Sequence, residues 1–151
     1  MAALTAARRA GASRGRAVPA LALAALGAAL GCAAAPPPPP RRLVLNLPGE
    51  LVDVDAAVVA GHVTLVDFRA DWCRGCDVME ARFLATVGDD PRIVLRLVDV
   101  GDGETPVARA YQIGALPHLR LYDRHRRLRY VLAGNDGLDA GVRALELAAE
   151  P

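Results

Sequence analysis

A strand-like run that leads directly into two cysteines constrains the fold of this chain more than any other feature. Residues 63–68, VTLVDF, are apolar and rich in β-branched side chains, which predicts a strand buried on both faces. From Cys73 the pattern changes to that of a helix reaching about residue 87. Apolar residues recur on one face of this helix: Cys76, Met79, Phe83 and Val87. We therefore expect both cysteines at the start of a helix that follows a central strand through a turn at Trp72.

The rest of the chain up to residue 150 predicts a single α/β domain. Strands are expected at 43–47, 92–100, 118–122 and 128–132, and helices at 53–60 and 105–111. A last helix is expected to begin near Asn135 or Asp136, with Leu138, Val142 and Leu145 facing inward. Strand–helix–strand segments followed by a hairpin and a helix predict one mixed central sheet with helices on both faces.

The first 31 residues have the pattern of an export signal. Four arginines and no acid precede the run LALAALGAAL at 21–30, which is shorter than the ~20 residues that cross a bilayer. The alternative is an alanine-rich helix of the folded domain, but such a helix would lack a polar face. We predict a signal peptide at 1–31 and an exported protein.

Cys32 follows this apolar run directly and is a candidate for lipidation. The sequence ALGC at 29–32 resembles the lipobox of bacterial lipoproteins, which implies that Cys32 is acylated and becomes the mature N-terminus. Ordinary cleavage near residues 33–35 is the alternative. The prolines at 36–40 favour an extended spacer. We expect a lipidated N-terminus and Pro-rich linker at 32–42 and a domain at 43–150, lipid-anchored on the periplasmic side of a bacterial membrane.

Charge gives no indication of a nucleic-acid partner. All 17 acidic residues but only 14 of the 18 arginines follow Cys32, which leaves that part of the chain near −3. The basic run RHRRLR at 124–129 is interpreted as a solvated hairpin turn.

The two cysteines at Cys73 and Cys76 have the spacing of a redox pair. Residues three apart on a helix have Cβ atoms ~5–6 Å apart, close enough for a disulfide after slight distortion of the first turn. Free N–H groups at the helix start and the neighbouring Arg74 favour the thiolate of Cys73. Cys73 is therefore expected to react and Cys76, on the buried face, to resolve.

Two other uses of the pair remain open at this point. A structural zinc needs four ligands, and only His62, His118 and His125 could add to the cysteines. A purely structural disulfide across so short a loop removes little unfolded-state entropy. We expect no metal and no cofactor.

Asp67 is an acid inside the predicted central strand. Strict alternation puts it on the same side as Val63 and Leu65, which predicts burial and a raised pKa. A carboxylate with such a pKa could accept the proton of Cys76. The alternative is an acid near the strand end that simply faces water.

The stretch VDFRADWCRGC at 66–76, followed by GALPH at 114–118, resembles the thioredoxin family. It is most similar to the C-terminal thioredoxin-like domain of the membrane disulfide reductase DsbD, and the resemblance implies a thioredoxin fold. It also implies that Cys73 attacks, Cys76 resolves, Asp67 is the buried acid, and the substrate is bound by Trp72, Leu116 and a cis-proline at Pro117. Arg69, the Arg-Gly pair between the cysteines and His118 depart from the usual thioredoxin residues.

These features predict a membrane-tethered, extracytoplasmic thiol–disulfide oxidoreductase that reduces protein disulfides. A disulfide-forming oxidase and a copper- or zinc-binding carrier are the alternatives. The expected partners are proteins carrying disulfides or thiols, and an unidentified membrane electron donor. The domain is expected to be a monomer that binds no nucleic acid.

Overall fold

The computed structural model describes residues 36–151. The predicted signal peptide at 1–31 and the predicted lipidation site at Cys32 lie outside the described residues. Five strands and four helices follow in the order β1 (Arg42–Val44), α1 (Val54–Ala57), β2 (Val63–Arg69), α2 (Arg74–Val87), β3 (Ile93–Asp99), α3 (Pro106–Ala110), β4 (His118–Tyr122), β5 (Leu128–Ala133) and α4 (Ala140–Ala149). A 3-10 helix at Gly134–Asp139 leads into α4.

The strands form one mixed sheet in the order β1-β3-β2-β4-β5. β1, β3 and β2 are parallel, whereas β4 is antiparallel to both β2 and β5. β2 therefore has a neighbour on each side, and Asp67 in its middle pairs with Leu97 of β3 and Leu119 of β4. The predicted mixed sheet and α/β class are confirmed.

Each face of the sheet carries its own apolar core. One core joins Val63 and Leu65 of β2 to residues of α2 and α4. The other joins Val66 and Phe68 of β2 to residues of α1 and α3. β2 is buried on both sides because its alternating side chains enter both cores, as the unbroken apolar run predicted.

The last helix differs from its prediction. Leu138 and Val142, expected to face inward, are exposed, and Leu145 is only partly buried against the core. The buried residues of α4 are mostly small: Ala140, Gly141, Ala144, Leu147 and Ala148. Small side chains let α4 lie close to α2, so the packed face is an alanine stripe and the larger aliphatic residues stay outside. No side chain caps the helix start, so the predicted caps Asn135 and Asp136 are wrong.

Two other elements are shorter than predicted. α1 ends at Ala57, and the carboxylate of Asp53 accepts a hydrogen bond from the Ala56 N–H at its start. β1 begins at Arg42 and ends at Val44, although the Leu45 N–H still donates to the Leu97 carbonyl.

The hairpin between β4 and β5 contains the basic run, and it is more ordered than a freely solvated turn. The carboxylate of Asp123, itself buried, accepts hydrogen bonds from the backbone N–H groups of His125 and Arg127. It also pairs with the side chains of Arg127 and Arg129. These contacts hold the pKa of Asp123 down to about 2, against the effect of burial.

Among residues 36–151, none of the helices has both the length and the apolar character needed to cross a membrane.

Because α4 lies close to α2, we expect replacement of Gly141 in α4 by a larger residue to destabilise the protein. A Cβ added at Gly141 would lie 2.6 Å from the Cβ of Thr86, whereas one added at Gly114 would meet nothing within 4 Å. We expect Gly141→Ala to lower the free energy of unfolding by ~1–3 kcal/mol despite the higher helix propensity of alanine. Urea unfolding checks this, with Gly114→Ala as the matched control. Equal or greater stability of Gly141→Ala would contradict the packing described.

Candidate active site

The turn between β2 and α2 places two sulfur atoms at a helix N-terminus. Cys73 is the N-cap of α2, and its Sγ accepts a hydrogen bond from the Cys76 N–H at 3.2 Å. The Cys73 N–H donates to the Ala70 carbonyl, which closes the turn. Free N–H groups and the positive end of the helix dipole therefore face the Cys73 sulfur, where they favour a thiolate over a thiol.

Cys73 and Cys76 are joined in a disulfide with an S–S distance of 2.11 Å and a Cα–Cα distance of 5.3 Å. Cys73 keeps 7% of its surface exposed, whereas Cys76 keeps none because it faces the core side of α2. The two sulfurs therefore differ in access, and an incoming group would meet Cys73 first.

A loop preceding β4 lies across from the first turn of α2. The Leu116–Pro117 peptide bond is cis, and the Pro117 carbonyl accepts a hydrogen bond from the Gly134 N–H. A Cβ added at Gly75, between the two cysteines, would lie 3.5 Å from Pro117 Cδ. Residues more than 40 positions apart in the sequence thus meet beside the disulfide.

Two surface cavities flank this meeting point. The larger, about 390 Å³, is mainly apolar and is lined by Arg74, Gly75, Val78, Met79, Leu116, Pro117, Gly134, Asn135 and Leu138. The smaller, about 220 Å³, lies between Trp72 and the loop at 100–104 and is also lined by Leu116. Trp72 is 62% exposed, and its indole N–H donates to the Gly101 carbonyl. Trp72, Leu116 and Pro117 therefore surround the disulfide, where an extended chain could lie.

Asp67 lies in β2, on the face of the sheet that packs against α2. Only 1% of its surface is exposed, and neither carboxyl oxygen has a hydrogen-bond partner among the described residues. Burial raises the pKa of Asp67 to about 7, against the lowering effect of the Arg69 charge. The alternative of an acid facing water is wrong.

Charged residues that the sequence reasoning did not place in the site surround Asp67. Arg69 forms ion pairs with Asp77 and Glu80 of α2, and Glu80 also accepts from Arg42 of β1 at 2.6 Å. Asp77 and Glu80 follow Cys76 by one and four residues, so the sequence could have indicated two acidic side chains on the helix that begins at the cysteine pair. The sequence could not have indicated the arginines on β1 and β2 with which these acids pair.

His118 lies away from Asp67, on the other face of the sheet. Its ring meets Phe68 edge-on at 5.6 Å between centroids, and burial followed by the charge of Arg120 lowers its pKa. Within the described residues 36–151, no three side chains of His, Cys, Asp or Glu converge as metal ligands would.

The raised pKa of Asp67 predicts a pH dependence of stability. Between pH 4 and pH 7 the unfolded carboxyl ionises while the folded one stays protonated, so the free energy of unfolding falls as pH rises. The full loss above pH 7 is about 4 kcal/mol for a shift of this size. Urea unfolding of the disulfide form at pH 5 and pH 8 should measure roughly 2–3 kcal/mol of this loss, because the unfolded carboxyl is already mostly ionised at pH 5. Asp67→Asn is expected to be much less sensitive to pH, and an equal fall in this variant would assign the effect to another group.

Comparison with solved structures shows that known proteins have the same fold. A mutant thioredoxin from Halobacterium salinarum superposes with a TM-score of 0.56 and 20% sequence identity, covering 74% of this chain and 94% of that protein. At this identity the likeness shows the fold.

Sequence comparison points to the same group of proteins. A thioredoxin from Geodia cydonium is 26% identical over 103 residues, covering 66% of this chain and 93% of that protein. A thioredoxin from Mycoplasma pneumoniae is 26% identical over 76 residues, covering 48% of this chain and 74% of that protein. Residues 52–141, which contain β2, the cysteine pair, Asp67 and the Pro117 loop, match the family model described as Thioredoxin. With this match and a disulfide at the start of α2, the chain belongs to the thioredoxin family of thiol–disulfide oxidoreductases.

Proposed function

We propose that this protein is an extracytoplasmic, membrane-anchored reductase of protein disulfides. The observation that carries the proposal is the combination of an accessible Cys73, a buried Cys76 and a buried Asp67 carboxyl. Asp67 is on the sheet face that packs against the cysteine helix, and its carboxyl has no hydrogen-bond partner among the described residues. This arrangement separates a reacting thiol from a resolving thiol and supplies a group that can take up a proton.

In the first step, the thiolate of Cys73 attacks one sulfur of a substrate disulfide. The substrate S–S bond breaks, a mixed disulfide forms, and the other substrate sulfur leaves as a thiolate that takes a proton from water. The free N–H groups at the start of α2 stabilise the attacking thiolate, so this step does not require Asp67.

In the second step, Cys76 releases the substrate. Its thiol proton passes to ionised Asp67, and the resulting thiolate attacks Cys73 Sγ. This attack breaks the mixed disulfide and frees the second substrate sulfur as a thiolate, which takes a proton from water. Two electrons have moved from the protein dithiol to the substrate. The product on the protein is the Cys73–Cys76 disulfide seen in the structure.

The cavities beside the disulfide support a substrate in extended conformation. Val78 and Leu138 expose apolar surface beside Leu116 and Pro117, and Trp72 stands on the other side of Cys73. A segment of a partly folded protein could pack against these side chains and bring its disulfide to Cys73.

The reducing direction rests on Asp67. A proton acceptor for Cys76 speeds the step that releases reduced substrate, and the resulting disulfide must then be reduced by an electron donor in the membrane. Arg74 argues against the reducing direction. It lies next to Cys73 and pairs with no carboxylate among the described residues. A positive charge there stabilises the reduced thiolate, which favours a disulfide-forming oxidase as the second candidate.

Location outside the cytoplasm is supported by the N-terminal sequence. A basic start, an apolar run and the Gly31–Cys32 junction have the order of a lipoprotein export signal, and a proline run follows. ADWC and the following helix resemble the C-terminal domain of DsbD. This resemblance supports the proposal that the protein acts on the periplasmic side of a bacterial membrane.

Trapping of the mixed disulfide tests the exchange mechanism. With a labelled peptide disulfide as substrate, Cys76→Ser should accumulate a near-stoichiometric adduct, because Cys73 attacks and cannot be released. Cys73→Ser should accumulate almost none, because Cys76 is buried. Non-reducing gels and mass spectrometry count the adducts.

All these variants carry Cys32→Ala so that the third cysteine cannot contribute. Equal adducts with either serine variant would overturn the assignment of roles. Adducts with neither, together with stoichiometric copper or zinc in the reduced protein, would instead identify a metal carrier. The reduction potential of the pair decides between reductase and oxidase, since 30 mV corresponds to ~1.4 kcal/mol.

Anchoring through Cys32 is tested by metabolic labelling with a fatty acid. The full chain, expressed in a bacterium that processes lipoproteins, should carry the label and sediment with membranes. Cys32→Ala should lose both properties, whereas Cys73→Ser, a matched cysteine replacement, should keep them. Unlabelled wild-type protein would refute the anchor and leave the exchange mechanism intact.

A further inference from the structure

Four charged side chains from three elements form a cluster next to Asp67. We refer to Arg42 of β1, Arg69 of β2, and Asp77 and Glu80 of α2 as the four-charge cluster. Glu80 lies between the two arginines, and the Arg69 guanidinium lies between the two acids. The cluster is neutral as a whole, so its effect on Asp67 depends on which charge lies nearest.

Arg69 is on the same face of β2 as Asp67. Side chains two apart on a strand point to the same side and are about 7 Å apart along it. Arg69 is partly buried, with 18% of its side chain exposed, and Glu80 has 12%. Water screens a partly buried charge less than an exposed one, so the field of Arg69 reaches the carboxyl group of Asp67.

The guanidinium acts on Asp67 through space. Its contacts go to Asp77 and Glu80, and both oxygens of Asp67 are without hydrogen bonds in the described part of the chain. Asp77 and Glu80 thus fix where the positive charge of Arg69 sits, while their own charges oppose it. Arg42 in turn binds Glu80.

The sheet partners of Asp67 supply no charge, because Leu97 of β3 and Leu119 of β4 are apolar. Burial raises the pKa of Asp67, and the charges of Arg69 and Arg42 lower it. The charges of Glu80 and Asp77 raise it.

We propose that Arg69 is a positioning residue that keeps Asp67 able to accept the proton of Cys76 at neutral pH. The inference rests on the proposed function and assigns a role to the arginine of this chain. A buried carboxyl without hydrogen bonds would otherwise stay protonated, and a protonated acid cannot take up a proton. Asp77 and Glu80 hold the guanidinium where it favours the carboxylate.

The titration of Asp67 tests the electrostatic part directly. Carbon NMR of the disulfide form, labelled at the aspartate carboxyl carbons, follows each carboxyl with pH, and Asp67→Asn identifies the signal. Wild type should titrate near pH 7. Arg69→Gln should titrate higher, and Arg69→Lys, which keeps a positive charge but not the two-pronged contact, should return towards wild type.

Two more variants keep the test decisive if Arg69→Gln does not fold. Arg42→Gln, on the exposed edge strand, should raise the midpoint by less, because Arg42 acts on Asp67 more weakly than Arg69 does. Arg92→Gln is the matched control: it removes an arginine paired with Asp90 and should leave the midpoint unchanged.

Single-turnover kinetics test the consequence for the reaction. At pH 7, Arg69→Gln should release substrate from the mixed disulfide roughly five- to tenfold more slowly, the loss expected when an opposite charge near an acid is removed. At pH 9, where Asp67 is ionised in both proteins, the rates should converge. Attack by Cys73, measured in the Cys76→Ser background, should not change.

The outcomes separate the inference from the proposed function. An unshifted midpoint in both Arg69→Gln and Arg42→Gln overturns the role of Arg69, whatever the protein does to disulfides. A shifted midpoint with an unchanged release rate overturns Asp67 as the proton acceptor, which is a failure of the proposed mechanism. Slow release that persists at pH 9, or that Arg69→Lys does not relieve, shows that Arg69 only holds α2 against β2.

Discussion

The carboxyl group of Asp67 is buried, and none of the residues 36–151 forms a hydrogen bond with it. The proposed chemistry of the site depends on this unfavourable burial. β2 is bordered by β3 and β4 and covered on both faces, so the middle of the strand has almost no exposed surface. Ionising an acid there is unfavourable, which brings its pKa to about 7. Because that pKa lies near neutrality, the group can both release and accept a proton under ordinary conditions. The fold loses stability on ionisation of Asp67, and we propose that it gains a proton acceptor for Cys76.

In the proposed mechanism, the thiolates of the two cysteines are stabilised by different electrostatic effects. Cys73 at the N-cap of α2 depends on backbone N–H groups, which are present at the start of any helix. We propose that Cys76 depends on Asp67 for its deprotonation, and that Asp67 depends on Arg69, whose guanidinium pairs with Asp77 and Glu80. In this proposal, the thiolate that starts the exchange and the thiolate that ends it are stabilised independently. Changes at the four-charge cluster could adjust the second step while leaving the first unaltered.

Local patterns predicted most elements of the sheet and the cysteine helix. The alternation in β2 placed Asp67 on the side of Val63 and Leu65, and burial of these residues agrees with it. The last helix was mispredicted because the size of a side chain was taken as a guide to burial. Where α4 lies close to α2, Gly141 and the alanines pack inward and Val142 faces solvent. Close helix contacts favour small residues, which carry little hydrophobic periodicity.

The sequence by itself determined the strand, the turn and the helix that place the pair Cys73 and Cys76 at a helix start. These are consequences of short-range order, since alternation, helical period and spacing act over a few residues. Only the tertiary structure decided that Pro117 faces Gly75, and that Arg42 and Arg69 share Glu80. Such contacts join residues that are far apart in the sequence, such as Gly75 and Pro117. They depend on strand order and side-chain packing, and on a low-dielectric interior in which charges act on each other without touching.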